Sequence, residues 1–224
     1  MRRIRIQGES AEWPRSEHSK SRHDCSFRIT QEKPGADGSG FSAAAQILGT
    51  LTMAEALSPI LPPEVEAATH RLLQAASERE LKLATAESCT GGLIASLLTD
   101  VPGRSHVFER AFVTYSNEAK EQLLGVGTQT LAQHGPVSGE AVREMALGAL
   151  NGSAADVVLA VTGWTEEGPA PNQPAGLVWF ATARRGGGVA IRKELFGDIG
   201  RAAIRLKCLD VALEMFAGAI SEQR

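Results

Sequence analysis

At 224 residues, with 43% hydrophobic side chains and a formal charge of -3, the chain can bury one substantial core and has no electrostatic bias toward polyanions, so no nucleic-acid partner is expected. Its three cysteines, Cys25, Cys89 and Cys208, are too few and too scattered for a disulfide framework, and no CxxC or His/Cys cluster offers metal-ligand spacing. No apolar run approaches the roughly 20 residues that span a bilayer and the N-terminus lacks the apolar core of a signal peptide, so the expectation is a cytoplasmic protein with no membrane partner.

Residues 1 to 52 show neither helical nor strand periodicity and are rich in Arg, Ser, Glu, Gly and His, as in the run from Glu17 to Asp24. Such a composition cannot bury enough apolar surface to offset chain entropy. The expectation is an N-terminal extension that is disordered or lies upstream of the true start, with Met53 as a natural alternative start and 53–224 as the folded domain. Glu9, Glu12, Glu17 and Asp24 argue against a transit peptide, which is poor in acids.

From Pro62-Pro63 the texture changes. Glu64 to Glu80 carries Val65, Ala68, Leu72 and Ala76 at helical spacing. Leu81 to Ala86 reads as a short strand, and Gly91-Gly92 opens an apolar helical stretch from Leu93 to Leu98. A second strand is predicted from Val107 to Tyr115, followed by a helix from Asn117 to Leu124. Ser138 can cap a further helix that runs to Leu150. Asp156 to Thr162 is a continuously apolar strand, and Trp164 to Pro174 is a loop with three prolines. Leu177 to Ala183 and Val189 to Phe196 flank three glycines as a hairpin, and Ile199 to Ile220 is a final helix. Strands that alternate with helices and then give way to a hairpin predict an α/β fold: a three-layer-like sandwich with a mixed, partly parallel sheet.

In open α/β sheets, ligands bind outside the carboxyl ends of the parallel strands. Three predicted strands end in polar residues, at Thr85 to Ser88, at Tyr115-Ser116-Asn117 and at Thr162-Gly163. In Glu87-Ser88-Cys89-Thr90-Gly91-Gly92, the paired glycines at a helix start let a phosphate or oxyanion approach backbone N–H groups. The same turn also reads as a tight strand-to-helix connection with Ser88 or Thr90 as N-cap. It is neither a GxxxxGK[ST] loop nor a GxSxG elbow, which disfavours kinase and ordinary esterase chemistry.

Tyr115 is the only tyrosine, and Lys120 is placed in the first turn of a helix, where the dipole disfavours a cation and lowers its pKa. With Ser88 at the same sheet edge, Lys120 and Ser88 form a candidate base and nucleophile; the alternative for Lys120 is a solvated surface residue. Cys89 reads as a buried packing residue, as do Trp164 and Trp179. Arg201 and Arg205, four apart on one helix face, either bind phosphate or are solvated.

These residues also carry a family likeness. Thr85-Ala86-Glu87-Ser88-Cys89-Thr90-Gly91-Gly92-Leu93-Ile94-Ala95 resembles the signature of the CinA C-terminal domain family. Val101 to Ser105, Tyr115 to Lys120, Leu123 to Val126, His134 to Ser138 and Ala160 to Gly163 agree with it in order, over roughly residues 63 to 216. The resemblance implies a small-molecule nucleotide substrate: hydrolysis of the carboxamide of nicotinamide mononucleotide to nicotinate mononucleotide and ammonia, in pyridine-nucleotide salvage. It implies Ser88 as nucleophile, Lys120 and Tyr115 as proton carriers, and Thr85, Thr90, Gly91, Gly92, Asn117, Thr162, Gly163 and Arg201 in contact with substrate. It implies no metal and no cofactor, and a homodimer. Two departures stand out. After Gly163 the family's small neutral loop is replaced by Trp164-Thr165-Glu166-Glu167-Gly168-Pro169, and Ile199-Gly200 separates Asp198 from Arg201. If that loop faces a phosphate, its two carboxylates repel it. Two alternatives therefore stand beside the deamidase: an amidase for another small amide, and a binding or interaction domain of the same fold without turnover.

Overall fold

The computed structural model describes residues 61–221, so the extension expected over residues 1–52 and the start at Met53 lie outside the described residues. Strand β1 (Leu83–Glu87) is the hinge of the topology. It pairs in parallel with β2 (Phe108–Val113) on one side and with β3 (Val157–Gly163) on the other. Strands β4 (Leu177–Arg184) and β5 (Val189–Leu195) add antiparallel beyond β3, giving the order β2-β1-β3-β4-β5. The mixed sheet is the one predicted.

Because crossovers between parallel strands are right-handed, the connection from β1 out to β2 and the connection from β2 back past β1 to β3 run in opposite directions and lie on opposite faces of the sheet. Helix α2 (Leu93–Thr99), which links β1 to β2, shares one face with α1 (Pro63–Glu78) and α6 (Arg201–Ser221). Helices α3 (Asn117–Leu124), α4 (Thr128–His134) and α5 (Gly139–Asn151) cover the other. The chain thus reverses its winding at the carboxyl end of β1, the position where an open sheet leaves a crevice.

Side-chain size tells the two faces apart. Leu83, Val157, Leu159, Val161, Val178 and Phe180 point toward α1, α2 and α6. Their alternating neighbours Ala84, Ala86, Ala160, Ala181 and Ala183 point toward α5. Small residues on that face let α5 lie close, with Ala141, Met145, Ala146 and Ala149 wholly buried. No helix of the described residues is long and apolar enough to cross a membrane.

Several boundaries differ from expectation for local reasons. The first helix stops at Glu78 because Glu80 turns left-handed at φ 54°. Strand β2 stops at Val113, since Ser116 takes over as N-cap of α3, its Oγ accepting the Ala119 N–H at 3.1 Å. Helix α4 was not expected; it buries only Leu131 and lacks a readable stripe. The last helix starts at Arg201, after Gly197 and Gly200 at φ 77° and 85°.

One contact tests this packing directly. A Cβ on Gly148 of α5 would lie 1.8 Å from the Leu124 carbonyl oxygen at the end of α3. Alanine gains about 1 kcal/mol of helix propensity over glycine, whereas an overpacked contact against backbone costs about 1–3 kcal/mol or more. Gly148→Ala is therefore expected to lower the melting temperature; an unchanged or raised value would show that the two helices separate freely.

Candidate functional site

Ser88 is the first residue beyond β1, at the reversal point. Its N–H donates to the Val161 carbonyl at 3.1 Å and its own carbonyl accepts from Gly91 at 3.1 Å, so both neighbours in the fold fix it. Across the crevice, the Ser116 cap starts α3 so that Lys120 lies one turn in, and helical side chains lean back toward the N-terminus. Lys120 is 1% exposed. Its Nζ donates to the Thr114 carbonyl at 2.9 Å and sits 3.1 Å from Ser88 Oγ.

No carboxylate of the described residues forms an ion pair with Lys120. Burial therefore dominates and holds its pKa below the ordinary lysine value, with the neighbouring Cys89 acting in the opposite sense and less strongly. A buried amine bonded to one carbonyl and one hydroxyl has no counter-charge for its ammonium form, which accounts for that direction. The solvated-surface reading of Lys120 is thus overturned by the packing of α3.

Ser88 and Lys120 open into a cavity of about 320 Å³. Tyr115, Ser116 and Asn117 form one wall, Pro136 and Val137 another, and Thr162 to Glu166 a third, with Arg201 at the rim. Thr162 commits its hydroxyl to the Pro136 carbonyl at 2.8 Å, which ties the 135–137 loop to β3. Gly163 is sterically required, since a Cβ would come 2.7 Å from Val178 Cγ2 and 2.9 Å from the Leu177 oxygen. Arg201 donates to Thr165 Oγ1 at 2.9 Å and to Tyr115 Oη at 3.4 Å, and lies 3.7 Å from the Glu166 carboxylate. Tyr115 is 68% exposed and stands at the mouth rather than the floor. A larger groove, about 460 Å³, runs between α1 and α6. It is lined by Val65, Leu72, Leu213 and Ile220 with a charged rim and holds no paired nucleophile and base, so the smaller cavity is the candidate site.

The structure gathers Ser88, Lys120, Tyr115, Asn117, Thr162, Gly163 and Arg201 round one cavity. Thr85, Thr90, Gly91 and Gly92 do not line it, and the expectation that the glycine turn offers its N–H groups to substrate is corrected. The anion at the start of α2 is the chain's own Glu87. Its carboxylate accepts from the N–H groups of Gly92 at 3.0 Å, Ile94 at 3.2 Å and Ala95 at 2.8 Å. Thr85 Oγ1 at 3.1 Å and Thr90 Oγ1 at 2.7 Å complete the set. Arg205, half-buried, donates to the Thr90 carbonyl and braces the same turn, and it does not line the cavity. Trp179 packs on Gly139 as expected, but Trp164 lines the cavity, as does Cys89 from the edge of the core. Sequence reasoning missed Glu87, although an acid just ahead of a Gly-Gly helix start is a legible signal.

Residues 65–220 match the CinA C-terminal domain family. The chain belongs to the CinA C-terminal domain family. It is 48% identical over 143 residues to the nicotinamide-nucleotide amidohydrolase PncC of Escherichia coli K12, covering 63% of this chain and 86% of that protein. The crystal structure of the competence/damage inducible protein CihA from Agrobacterium tumefaciens superposes with a TM-score of 0.70 at 44% identity, over 72% of this chain and 98% of that one. A CinA-like protein of Akkermansia muciniphila shares 53% identity over 112 residues, only 27% of its own length, so the family domain also occurs within longer proteins.

The buried lysine sets a pH test. Between its lowered folded pKa and the ordinary value of about 10.4, the unfolded chain carries a proton on Lys120 that the folded protein lacks, so this group makes stability rise with pH across that window. Lys120→Met is expected to be at least as stable as the native chain at pH 7 and to lose that component of the rise. Urea unfolding of both proteins from pH 7 to 10 checks this, and parallel curves would contradict it.

Proposed function

We propose that this family member hydrolyses the carboxamide of nicotinamide mononucleotide, releasing ammonia and nicotinate mononucleotide, by a covalent serine mechanism in which nothing passes through a metal. The observation that carries the proposal is the 3.1 Å contact between a fully buried, uncompensated lysine and a serine at the floor of a cavity. The identity to a nicotinamide-nucleotide amidohydrolase supports the choice of amide.

In this scheme neutral Lys120 takes the proton of Ser88 Oγ as the oxygen attacks the carboxamide carbon. The amide π bond breaks and its electron pair moves to oxygen. The Cys89 N–H, the backbone donor that follows the nucleophile, donates to no other group among the described residues and receives that oxyanion. Collapse of the intermediate expels ammonia, with the proton supplied by Lys120 beside it, while Tyr115 at the mouth holds Arg201. Water then repeats the sequence on the acyl-serine. Arg201, held by Thr165 and Tyr115, takes the substrate phosphate at the rim.

A second reading, hydrolysis of a different small amide, draws on one observation: Glu166 already faces Arg201 at 3.7 Å. Both partners are largely exposed, and such pairs contribute about 0–1 kcal/mol, so Glu166 weakens phosphate binding modestly without abolishing it.

Ammonia release from nicotinamide mononucleotide, measured beside a panel of neutral amides, tests both readings. Ser88→Ala and Lys120→Met are each expected to lower kcat by at least about a thousandfold, with the double variant little worse than either, since the pair acts as one unit. Near-normal turnover in Ser88→Ala would remove the covalent mechanism. Glu166→Gln is expected to lower KM for the nucleotide by about two- to fivefold at unchanged kcat, whereas an unchanged KM would place the phosphate away from Arg201.

A further inference from the structure

Glu87 is a carboxylate with no exposed surface, and no Lys or Arg of the described residues forms an ion pair with it. Its charge is held instead by three N–H groups of α2 and two threonine hydroxyls, the arrangement that a helix start usually offers to a bound phosphate. A helix cap needs one acceptor for one or two N–H groups. Here the N-cap residue, Gly92 at φ 91°, has no side chain, and the acceptor arrives from the strand five residues earlier.

The hydroxyl contacts have no capping purpose. Thr85 lies in β1 before Ser88 and Thr90 lies in the turn after it, so one carboxylate clamps both sides of the serine. Gly91 and Gly92, at φ 62° and 91°, make the turn tight enough for the carboxylate to reach all five donors. Arg205 holds the Thr90 carbonyl from α6 and completes the frame.

We propose that Glu87 is a positioning residue for the reaction: by clamping Thr85, Thr90 and the start of α2, it holds Ser88 Oγ at Lys120 and aims the Cys89 N–H into the cavity. It also takes up the N–H groups of Gly92, Ile94 and Ala95, which leaves Arg201 to bind the substrate's phosphate. The proposal rests on the serine amide-hydrolysis reading, and its test carries one arm that does not depend on the substrate.

That arm is covalent labelling of Ser88 by an aryl sulfonyl fluoride, followed by mass spectrometry, alongside ammonia release from nicotinamide mononucleotide. Glu87→Gln keeps the shape but presents an NH2 group to the helix N–H groups. The expected result is a fall of at least about tenfold in both kcat and the labelling rate, with KM within about twofold. If Glu87→Gln lowers the melting temperature yet keeps native kcat and labelling per folded molecule, the carboxylate is only a cap and the proposal is overturned. Should that variant not fold, Thr90→Val and Thr85→Val remove one clamp contact each without touching the charge; slower labelling at unchanged KM supports the proposal, and native rates overturn it. If the native protein is labelled at Ser88 but releases no ammonia, the substrate assignment fails while the labelling comparison still decides the role of Glu87.

Discussion

A lysine buried without a counter-charge is the constraint on which the rest of this site depends. Placing Lys120 at 1% exposure is unfavourable for its charged form, and the fold accepts that penalty only by giving Nζ a carbonyl and a hydroxyl as partners. Three features combine to produce it. Ser116 starts α3 at the right residue, Thr114 leaves β2 with its carbonyl facing inward, and Ser88 sits across the crevice at the end of β1. On the proposed reading the arrangement activates an otherwise ordinary serine, because a neutral amine can accept its proton and an ammonium cannot.

The sheet supplies the place for that pair. Parallel strands on both sides of β1 oblige the two crossovers to lie on opposite faces, and the loops after β1, β2 and β3 meet there with the 135–137 loop and the start of α6. The antiparallel pair β4 and β5 adds no loop of this kind, but it sets the far wall. Leu177 and Val178 press so close to β3 that Gly163 has no room for a side chain. The alanine face toward α5 extends the same economy of space to the other layer, where Gly148 meets the end of α3, the helix that carries Lys120.

Much of this was legible in the sequence, for reasons that are physical. The polar ends at Ser88, Tyr115 to Asn117 and Thr162-Gly163 follow apolar runs of strand length, and that juxtaposition alone brought the right segments to one edge. The lowered pKa of Lys120 was expected from its place in a first helical turn, but its cause is burial, which that local position does not report. The direction of the glycine turn was not readable, since it depends on whether an anion reaches the helix from outside or from within the chain. Glu87 answers that question through contacts with residues up to eight positions away, which no periodicity reports. Helix α4 was missed because a seven-residue helix with one buried leucine has almost no pattern to detect. Arg205 was misjudged because spacing put it on a face with Arg201 but could not show the Thr90 carbonyl opposite it.

The two anion-binding features of the molecule bear on how a substrate would lie. A helix N-terminus and an arginine are both suited to phosphate, and a sequence holding both leaves open which one is used. Here the helix start is filled by Glu87, so the charge available to an incoming anion is at Arg201, on the rim beside Tyr115. Ser88 is at the floor of the same cavity, beside Lys120. On the proposed reading the amide must therefore enter first and the phosphate remain at the mouth, in the part of the cavity where Trp164, Thr165 and Glu166 depart from the family's small neutral loop. Changes there alter the affinity for the anionic end while the serine, the lysine and the clamped turn at the other end stay as they are. On the proposed reading, that division separates the residues of the chemistry from the loop that meets the anionic end of the substrate.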